Sequence, residues 1–140
     1  MSRGYGGYAS KVIEDEDWVI YEYGAFNLNK AQYQNNEKVY DGNFMIAKSI
    51  FVKDKVVLKR KKLPTGGHRF VEKRLKINVF DAVINGILTE NICIVNSRYE
   101  WDIKPIGEQE VGNISLLLLY KLFESYRDQE QLPEHVCCFS

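Results

Sequence analysis

The sequence predicts a single α+β domain, in which an antiparallel β-sheet with a projecting basic β-hairpin is covered on one face by one short helix and a long C-terminal helix. Three observations support this fold class. Short runs of aromatic and β-branched residues alternate with turn signals in the first half of the chain, as is typical of antiparallel strands. A strongly basic stretch follows them, and a wide apolar stripe at helical spacing lies near the C-terminus. The length of 140 residues fits one domain.

The first ten residues contain three glycines and no periodic apolar pattern. We therefore expect a flexible N-terminal arm over residues 1–10, because chain ends without apolar anchors are usually mobile. An alternative is that the arm stacks on nucleobases or lies along a partner. The folded domain is then expected to span residues 11–132 and to be followed by a C-terminal tail over residues 133–140.

An acidic cluster at residues 14–17 precedes the first predicted strand, residues 18–23, which is rich in aromatic and β-branched side chains. Neighbouring carboxylates can bind a hard cation, but the spacing is not that of an EF-hand loop. The other interpretation is a solvated charge run that keeps the end of the strand from pairing wrongly. The cluster thus predicts either a cation site or a protected strand end.

Residues 24–36 are rich in asparagine and glutamine and predict a loop, whereas the dipeptide Asp41-Gly42 is a strong turn signal. Residues 43–47 predict the next strand, which residues 49–52 continue after a bend. The order of these segments predicts a meander.

Residues 53–76 form the most unusual segment, because they carry ten basic and two acidic side chains, for a net charge of +8. Residues 1–52 carry −2 and residues 77–140 carry −6, so the chain is neutral as a whole but strongly polarised. Residues 63–67 read Leu-Pro-Thr-Gly-Gly and predict a turn between two strands. We expect the apolar root of this hairpin to join the core and its cationic tip to project. The predicted binding residues are Lys59, Arg60, Lys61, Lys62, His68, Arg69, Lys73, Arg74 and Lys76.

Residues 78–90 place apolar side chains at helical spacing, which predicts a short helix with Asn78 as its N-cap. Gly86 is expected either to weaken this helix or to end it. Residues 92–95 and 99–103 predict two further strands.

The most regular pattern begins at Asn113, the expected N-cap of the long helix, and continues to about residue 129. Its apolar stripe is wide enough to pack on a sheet, and it includes Ile114, Leu117, Leu118 and Leu122.

The composition argues against several classes of protein. No apolar run approaches the ~20 residues that a membrane span requires, and the N-terminus lacks the apolar segment of a secretory signal. Three cysteines are an odd number that argues against a disulfide framework and fits a reducing compartment, so we expect a cytoplasmic protein. No phosphate-binding loop, hydrolase nucleophile motif or metalloprotease motif is present, and no cofactor is expected.

Two weaker sites remain as alternatives. His68 lies beside the hairpin turn and is a candidate general base, with the surrounding cations available to stabilise a phosphorane-like transition state. His135, Cys137 and Cys138, together with the distant Cys93, are potential zinc ligands, but they lack the two paired clusters of a structural zinc site. Neither pattern predicts a catalytic or metal residue.

These observations predict a small non-catalytic protein that regulates or inhibits a macromolecular partner through the basic hairpin. By analogy, the profile is that of bacterial or phage-encoded inhibitors of nucleic-acid-handling machines. The expected partner is a protein or protein–nucleic-acid complex with an acidic surface, and no membrane partner is expected. The first alternative is direct DNA or RNA binding by the same hairpin. The pI of 6.7 argues against it, because dedicated nucleic-acid-binding domains usually have a pI above about 9. The second is a small metal-independent ribonuclease.

Overall fold

The computed structural model describes residues 4–51, 55–75 and 78–139, and it has the predicted α+β architecture. The strands are β1 (Tyr5–Glu14), β2 (Trp18–Asn27), β3 (Gly42–Ala47), β4 (Lys55–Lys62), β5 (His68–Leu75), β6 (Ile92–Val95), β7 (Lys104–Ile106), β8 (Gln109–Val111) and β9 (His135–Phe139), and the helices are α1 (Val79–Leu88) and α2 (Asn113–Gln129). The main sheet has five antiparallel strands in the order β6-β3-β2-β1-β9. Two further two-stranded ribbons pair β4 with β5 and β7 with β8.

The N-terminal segment differs from the flexible arm expected over residues 1–10. From Tyr5 onward it is part of β1, which pairs with β2 on one side and with β9 on the other. Gly7 permits a close approach of the helix, because a Cβ atom at this position would lie 2.4 Å from Cγ2 of Ile114 in α2. Helix α2 therefore packs directly on the backbone of β1, and a glycine-rich sequence hides a central strand. Residues 1–3 lie outside the described part of the chain.

The C-terminal segment also differs from the tail expected over residues 133–140. Residues 135–139 form the edge strand β9, in register with β1 from Gly6 opposite Phe139 to Ser10 opposite His135. Cys138 is buried and Val136 packs against the core, so alternate residues face inward as in any half-buried strand. Five residues are too short a run for that alternation to stand out in the sequence.

The core lies between one face of the five-stranded sheet and the two helices. Alternate residues of β2, among them Tyr21 and Tyr23, point into it together with Phe44 of β3. The Tyr23 and Phe44 rings stack with their centroids 4.5 Å apart. Helix α2 contributes the fully buried Leu118 and Leu122. The transfer of each side chain from water into the core contributes about 1.5–3 kcal/mol to the stability of the fold.

Both helices lie close to where the sequence places them. Asn78 caps α1 as expected, because its side chain accepts a hydrogen bond from the Asp81 amide. Gly86 does not end α1 but is buried inside it, where a Cβ atom would lie 2.6 Å from Cδ1 of Ile92. Helix α2 ends at Gln129 as predicted, but its N-cap is Gly112 rather than Asn113.

The loop segments differ more. Strand β2 continues to Asn27, beyond the predicted end at residue 23. A 3₁₀ turn, Lys48–Ile50, replaces the first part of the strand expected over residues 49–52. Residues 99–103 do not form the expected strand but a loop that leads into the β7–β8 ribbon.

From that ribbon, Gln109 protects the edge of the main sheet. Its amide oxygen accepts from Ile94 N at 3.1 Å, and its amide nitrogen donates to Ile92 O at 2.7 Å. The side chain thus occupies the hydrogen-bonding positions that another strand would use beside β6.

Among the described residues, no helix is both long and apolar enough to cross a membrane.

Candidate binding surface

The basic segment forms the predicted hairpin. Strands β4 and β5 pair in unbroken antiparallel register from Lys55 opposite Leu75 to Lys62 opposite His68. They form a ribbon of their own rather than joining the main sheet. The tip closes with hydrogen bonds from Gly66 N to Leu63 O (3.1 Å) and from Leu63 N to Gly67 O (2.7 Å). Gly66 has a φ of +92°, which few other residues tolerate.

The tip carries all of the predicted binding residues whose side chains are described. Arg60, Lys61, Lys62, His68 and Arg69 are all exposed. Within the described part of the chain, none of these five makes an ion pair or a side-chain hydrogen bond.

The remaining predicted residues can be placed only in part. Lys59, Lys73 and Arg74 lie within the two strands, opposite Val71, Val57 and Val56, and only their backbone is described. Lys76 lies outside the described residues. Val71 at the root is half-buried, and whether the rest of the root packs against the core stays a prediction.

The register places a lysine and an arginine opposite one another near the tip. Lys61 faces Arg69 across the ribbon, and the next pair towards the turn is Lys62 with His68. Side chains directly opposite in an antiparallel pair lie about 4.5–5.5 Å apart at Cβ, so like charges there destabilise the hairpin. This arrangement does not stabilise the hairpin itself. An anionic surface bound to the tip would relieve the repulsion between the two side chains.

Two large apolar side chains interrupt the cations. Leu58 is 68% exposed and Phe70 is 69% exposed. Phe70 lies opposite Arg60, and Leu58 is two residues from Arg60 on the same face of the ribbon. One face of the hairpin therefore combines positive charge with apolar area that nothing in the described chain covers.

Beneath the sheet, the structure contains a buried carboxyl group that the sequence does not reveal. Glu100, only 3% exposed, lies at the N-terminus of α2. Its Oε1 accepts from the Ile114 amide at 2.9 Å, and its Oε2 lies 3.2 Å from Ser115 Oγ. The side chain performs the capping that the N-cap residue, Gly112, cannot perform itself. The only sequence signal is the glycine at that position.

The hydroxyl of Tyr23 extends this polar cluster. It accepts from the Ser97 amide at 2.8 Å and lies 2.7 Å from Ser115 Oγ. Ser97 Oγ in turn donates to Asp41 Oδ1 at 2.6 Å. The cluster joins the loops before β3 and after β6 to the start of α2.

Burial raises the pKa of Glu100 to about 7, although hydrogen bonds from Ser115 and from the backbone amides of Ile114 and Ser115 act in the opposite direction. Burial also raises the pKa of Tyr23, with the neighbouring Glu100 charge adding to the effect. Because both groups are closed off from solvent, we assign them a structural role rather than a catalytic one.

The acidic cluster at residues 14–17 forms the turn between β1 and β2. Asp15 Oδ1 accepts from the Trp18 amide at 2.7 Å and from the Asp17 amide at 2.8 Å, and these bonds lower its pKa. Glu14 pairs with Lys11 at 2.8 Å and with Lys48 at 2.7 Å, and its pKa is lowered by them. The carboxylates of Glu14 and Asp15 thus shape and anchor the turn.

The potential zinc ligands do not meet. Cys93 lies in β6, whereas His135, Cys137 and Cys138 lie in β9, and these strands are the opposite edges of the five-stranded sheet. The part of the chain that the structure describes holds no group of three histidine, cysteine, aspartate or glutamate side chains suited to a metal ion. The ribonuclease hypothesis rests on His68 alone, whose cross-strand neighbour is Lys62.

No protein-family model, curated protein or solved structure matches this chain.

Proposed function

We propose that this protein is a small non-catalytic binding protein, which regulates or inhibits a macromolecular partner by applying the β4–β5 hairpin to an acidic surface of that partner. The observation that carries the proposal is the pairing of Lys61 with Arg69 at an exposed tip where neither makes an ion pair with a described residue. Such a tip is stabilised when an anionic surface supplies the missing charge. Complementary charge also accelerates the encounter of the two molecules.

The apolar part of the hairpin favours a protein as the partner. Interfaces between proteins bury a few large side chains, which polar and charged residues surround. Phe70 and Leu58 fit the role of such anchors, with Arg60 and Lys62 on the same face of the ribbon. Phosphate groups alone would leave Leu58 without a contact.

Direct nucleic-acid binding is the second candidate, and two observations favour it. A two-stranded ribbon is narrow enough for the major groove of a duplex, and the exposed Phe70 ring is able to stack on an unpaired base. The net charge of −8 on the rest of the chain opposes this candidate, because residues 1–52 carry −2 and residues 77–140 carry −6. An acidic body next to the hairpin repels a long polyanion.

The two candidates are separated by a binding experiment with three proteins. Wild type is compared with the variant Arg60→Ala, Lys61→Ala, Lys62→Ala, and with the charge-matched control Lys30→Ala, Lys104→Ala, Lys121→Ala, whose cations are exposed outside the hairpin. Each protein is titrated against labelled duplex DNA and single-stranded RNA at low and physiological salt. Each is also immobilised to capture protein partners from a lysate of its natural host.

The proposal predicts that binding to nucleic acid is weak and strongly salt-dependent. It also predicts that the wild type and the control variant capture one acidic protein or nucleoprotein complex, and that the hairpin variant does not. Nucleic-acid binding that persists at physiological salt, and that only the hairpin variant loses, would make DNA or RNA the direct ligand and overturn the protein-partner proposal. Equal capture by all three proteins would remove the hairpin from the binding surface.

A further inference from the structure

A concave site, separate from the hairpin, lies on the face of the main sheet opposite the helices. The cavity has a volume of about 290 Å³, just below the range of about 300–1,000 Å³ that is typical of small-ligand sites. Three aromatic side chains on neighbouring strands line it: Tyr8 of β1, Phe26 of β2 and Phe139 of β9. The Phe26 centroid lies 6.2 Å from that of Tyr8 and 6.1 Å from that of Phe139.

The opposite wall is the loop after β2, which Asn35 fixes in place. The buried Asn35 amide nitrogen donates to Tyr8 Oη and to Ala25 O, both at 3.0 Å, and its amide oxygen accepts from Val39 N at 2.8 Å. Burial, with smaller contributions from neighbouring groups, raises the pKa of Tyr8 to about 12, so the phenol remains neutral. The aromatic floor and the loop are therefore tied together before any ligand arrives.

The loop also supplies the polar groups of the cavity. Gln34 and Asn36 line it, and their only mutual contact is a long one of 3.5 Å from Asn36 Nδ2 to Gln34 Oε1. The Gln34 amide nitrogen and the Asn36 amide oxygen have no other partner among the described residues. Lys38 adds an exposed ammonium group to the lining.

We propose that this cavity binds a nucleotide, with the base against the aromatic side chains and the phosphate near Lys38. Each part of the ligand corresponds to one part of the site. Aromatic rings offer faces on which any base can stack. Primary amides carry both a donor and an acceptor, which match the mixed edge of a base. An ammonium group attracts phosphate.

Other occupants explain less of the site. An aliphatic ligand would contact the rings but would make no use of the two amides, and an aromatic side chain of a partner protein would supply no anion for Lys38. The same chemistry is offered by a free nucleotide and by one nucleotide of a single strand. The site is independent of the basic hairpin, because none of its lining residues belongs to β4 or β5.

The test measures the affinity of the full chain for AMP, UMP, ribose 5-phosphate and a six-nucleotide uridine oligomer by calorimetry. Phe139→Ala removes a ring that is 68% exposed, so we expect the fold to be retained. Phe80→Ala removes a ring that is 53% exposed on α1, outside both the cavity lining and the hairpin, and serves as the matched control. Lys38→Gln tests the phosphate contact without changing the size of the side chain greatly, and adenosine is titrated beside AMP.

We expect AMP or UMP to bind more tightly than ribose 5-phosphate, with about a tenfold loss in Phe139→Ala, as for one stacked base, and no loss in Phe80→Ala. Lys38→Gln is expected to weaken AMP but not adenosine. Binding of the oligomer alone, lost in Phe139→Ala, would identify the source as single-stranded nucleic acid. Failure of all four ligands to bind at millimolar concentration, equal affinity for ribose 5-phosphate and AMP, or equal losses in the two phenylalanine variants would overturn the proposal.

Discussion

The hairpin and the five-stranded body treat charge and polarity in opposite ways. In the body, every buried side-chain nitrogen or oxygen of the described residues has a hydrogen-bond partner, and the Glu100 carboxyl group is held by the start of α2. In the hairpin, Lys61 and Arg69 face each other with no ion-pair partner among the described residues, and Phe70 is left exposed. The body satisfies its own buried polar groups, whereas the hairpin leaves charged and apolar side chains exposed and without partners among the described residues.

We expect the body to determine the stability of the fold and the hairpin to determine binding. A polar group that is buried and paired contributes to the fold, because removing its partner leaves a costly unsatisfied atom. An exposed cation opposite another cation contributes nothing to the fold and slightly opposes it. Substitutions in the body are thus expected to change the free energy of unfolding, and substitutions in the hairpin are expected to change binding.

The largest effect is expected in the core. Leu118 is fully buried on α2, and Leu118→Ala should lower the free energy of unfolding by about 2–5 kcal/mol, since it removes apolar contacts and leaves a cavity. Its neighbour Leu117 is 38% exposed, and Leu117→Ala should cost less than about 1 kcal/mol. Urea titrations of both variants measure the difference. Equal costs would contradict the packing described for α2.

The second effect is a dependence of stability on pH. Burial raises the pKa of Glu100 from 4.5 to about 7, so the folded protein holds this proton more tightly than the unfolded chain. The contribution to stability is complete below about pH 4.5 and is lost as the pH rises through 7, a change of about 3 kcal/mol. Glu100→Gln keeps an acceptor for the Ile114 amide and should be the more stable protein at pH 8, with little difference at pH 5.

The measurement is a set of urea titrations of wild type and Glu100→Gln between pH 5 and 8. Both histidines are present in both proteins, so the difference between the two curves isolates Glu100. Parallel curves across this range would show that Glu100 keeps an ordinary pKa in the folded state.

The third effect compares a glycine of the sheet with one of the hairpin. A Cβ atom at Gly7 would lie 2.4 Å from Ile114 Cγ2, so Gly7→Ala should cost about 1–3 kcal/mol by overpacking. At Gly67 the nearest atom would be 3.6 Å away, so Gly67→Ala should change stability by less than about 0.5 kcal/mol. Thermal unfolding compares the two. A harmless Gly7→Ala would restore the prediction of a mobile N-terminal arm.

The smallest effect is expected where binding should change most. The variant Arg60→Ala, Lys61→Ala, Lys62→Ala should leave the free energy of unfolding within about 0.5 kcal/mol of the wild type, because these side chains are exposed and make no described ion pair. Urea titration measures it at low salt, where repulsion is least screened. A loss of several kcal/mol would mean that the cations support the fold.

The sequence was most informative where charge or periodicity is local. The cation density of the hairpin, the turn at residues 63–67 and the apolar stripe of α2 each lie within one short segment. The structure has the first two, and it buries most of the predicted stripe, but it exposes Leu117 and buries Leu119 instead. The sequence does not predict the N-terminal strand, because a glycine-rich segment is typical of flexible chain. In the structure, Gly7 instead permits the close approach of Ile114 to the strand.

The sites that were missed depend on contacts between distant segments. Glu100 acts on the Ile114 amide, fourteen positions along the chain. The cavity joins Tyr8 to Asn35 and, through Phe26, to Phe139 at the far end of the sequence. A local sequence pattern cannot predict these contacts, because they form only when β1 lies between β2 and β9 in the sheet.

The claim that the hairpin is the binding surface is tested most directly by site-specific photo-crosslinking. A benzophenone amino acid replaces Phe70 in one protein and Phe80, which is 53% exposed on α1, in the other. Both are irradiated in the natural host, and the crosslinked products are identified by mass spectrometry. The account predicts one dominant protein adduct from position 70, absent from position 80 and abolished by Arg60→Ala, Lys61→Ala, Lys62→Ala. The same adduct from both positions, or one that survives the loss of the three cations, would contradict it.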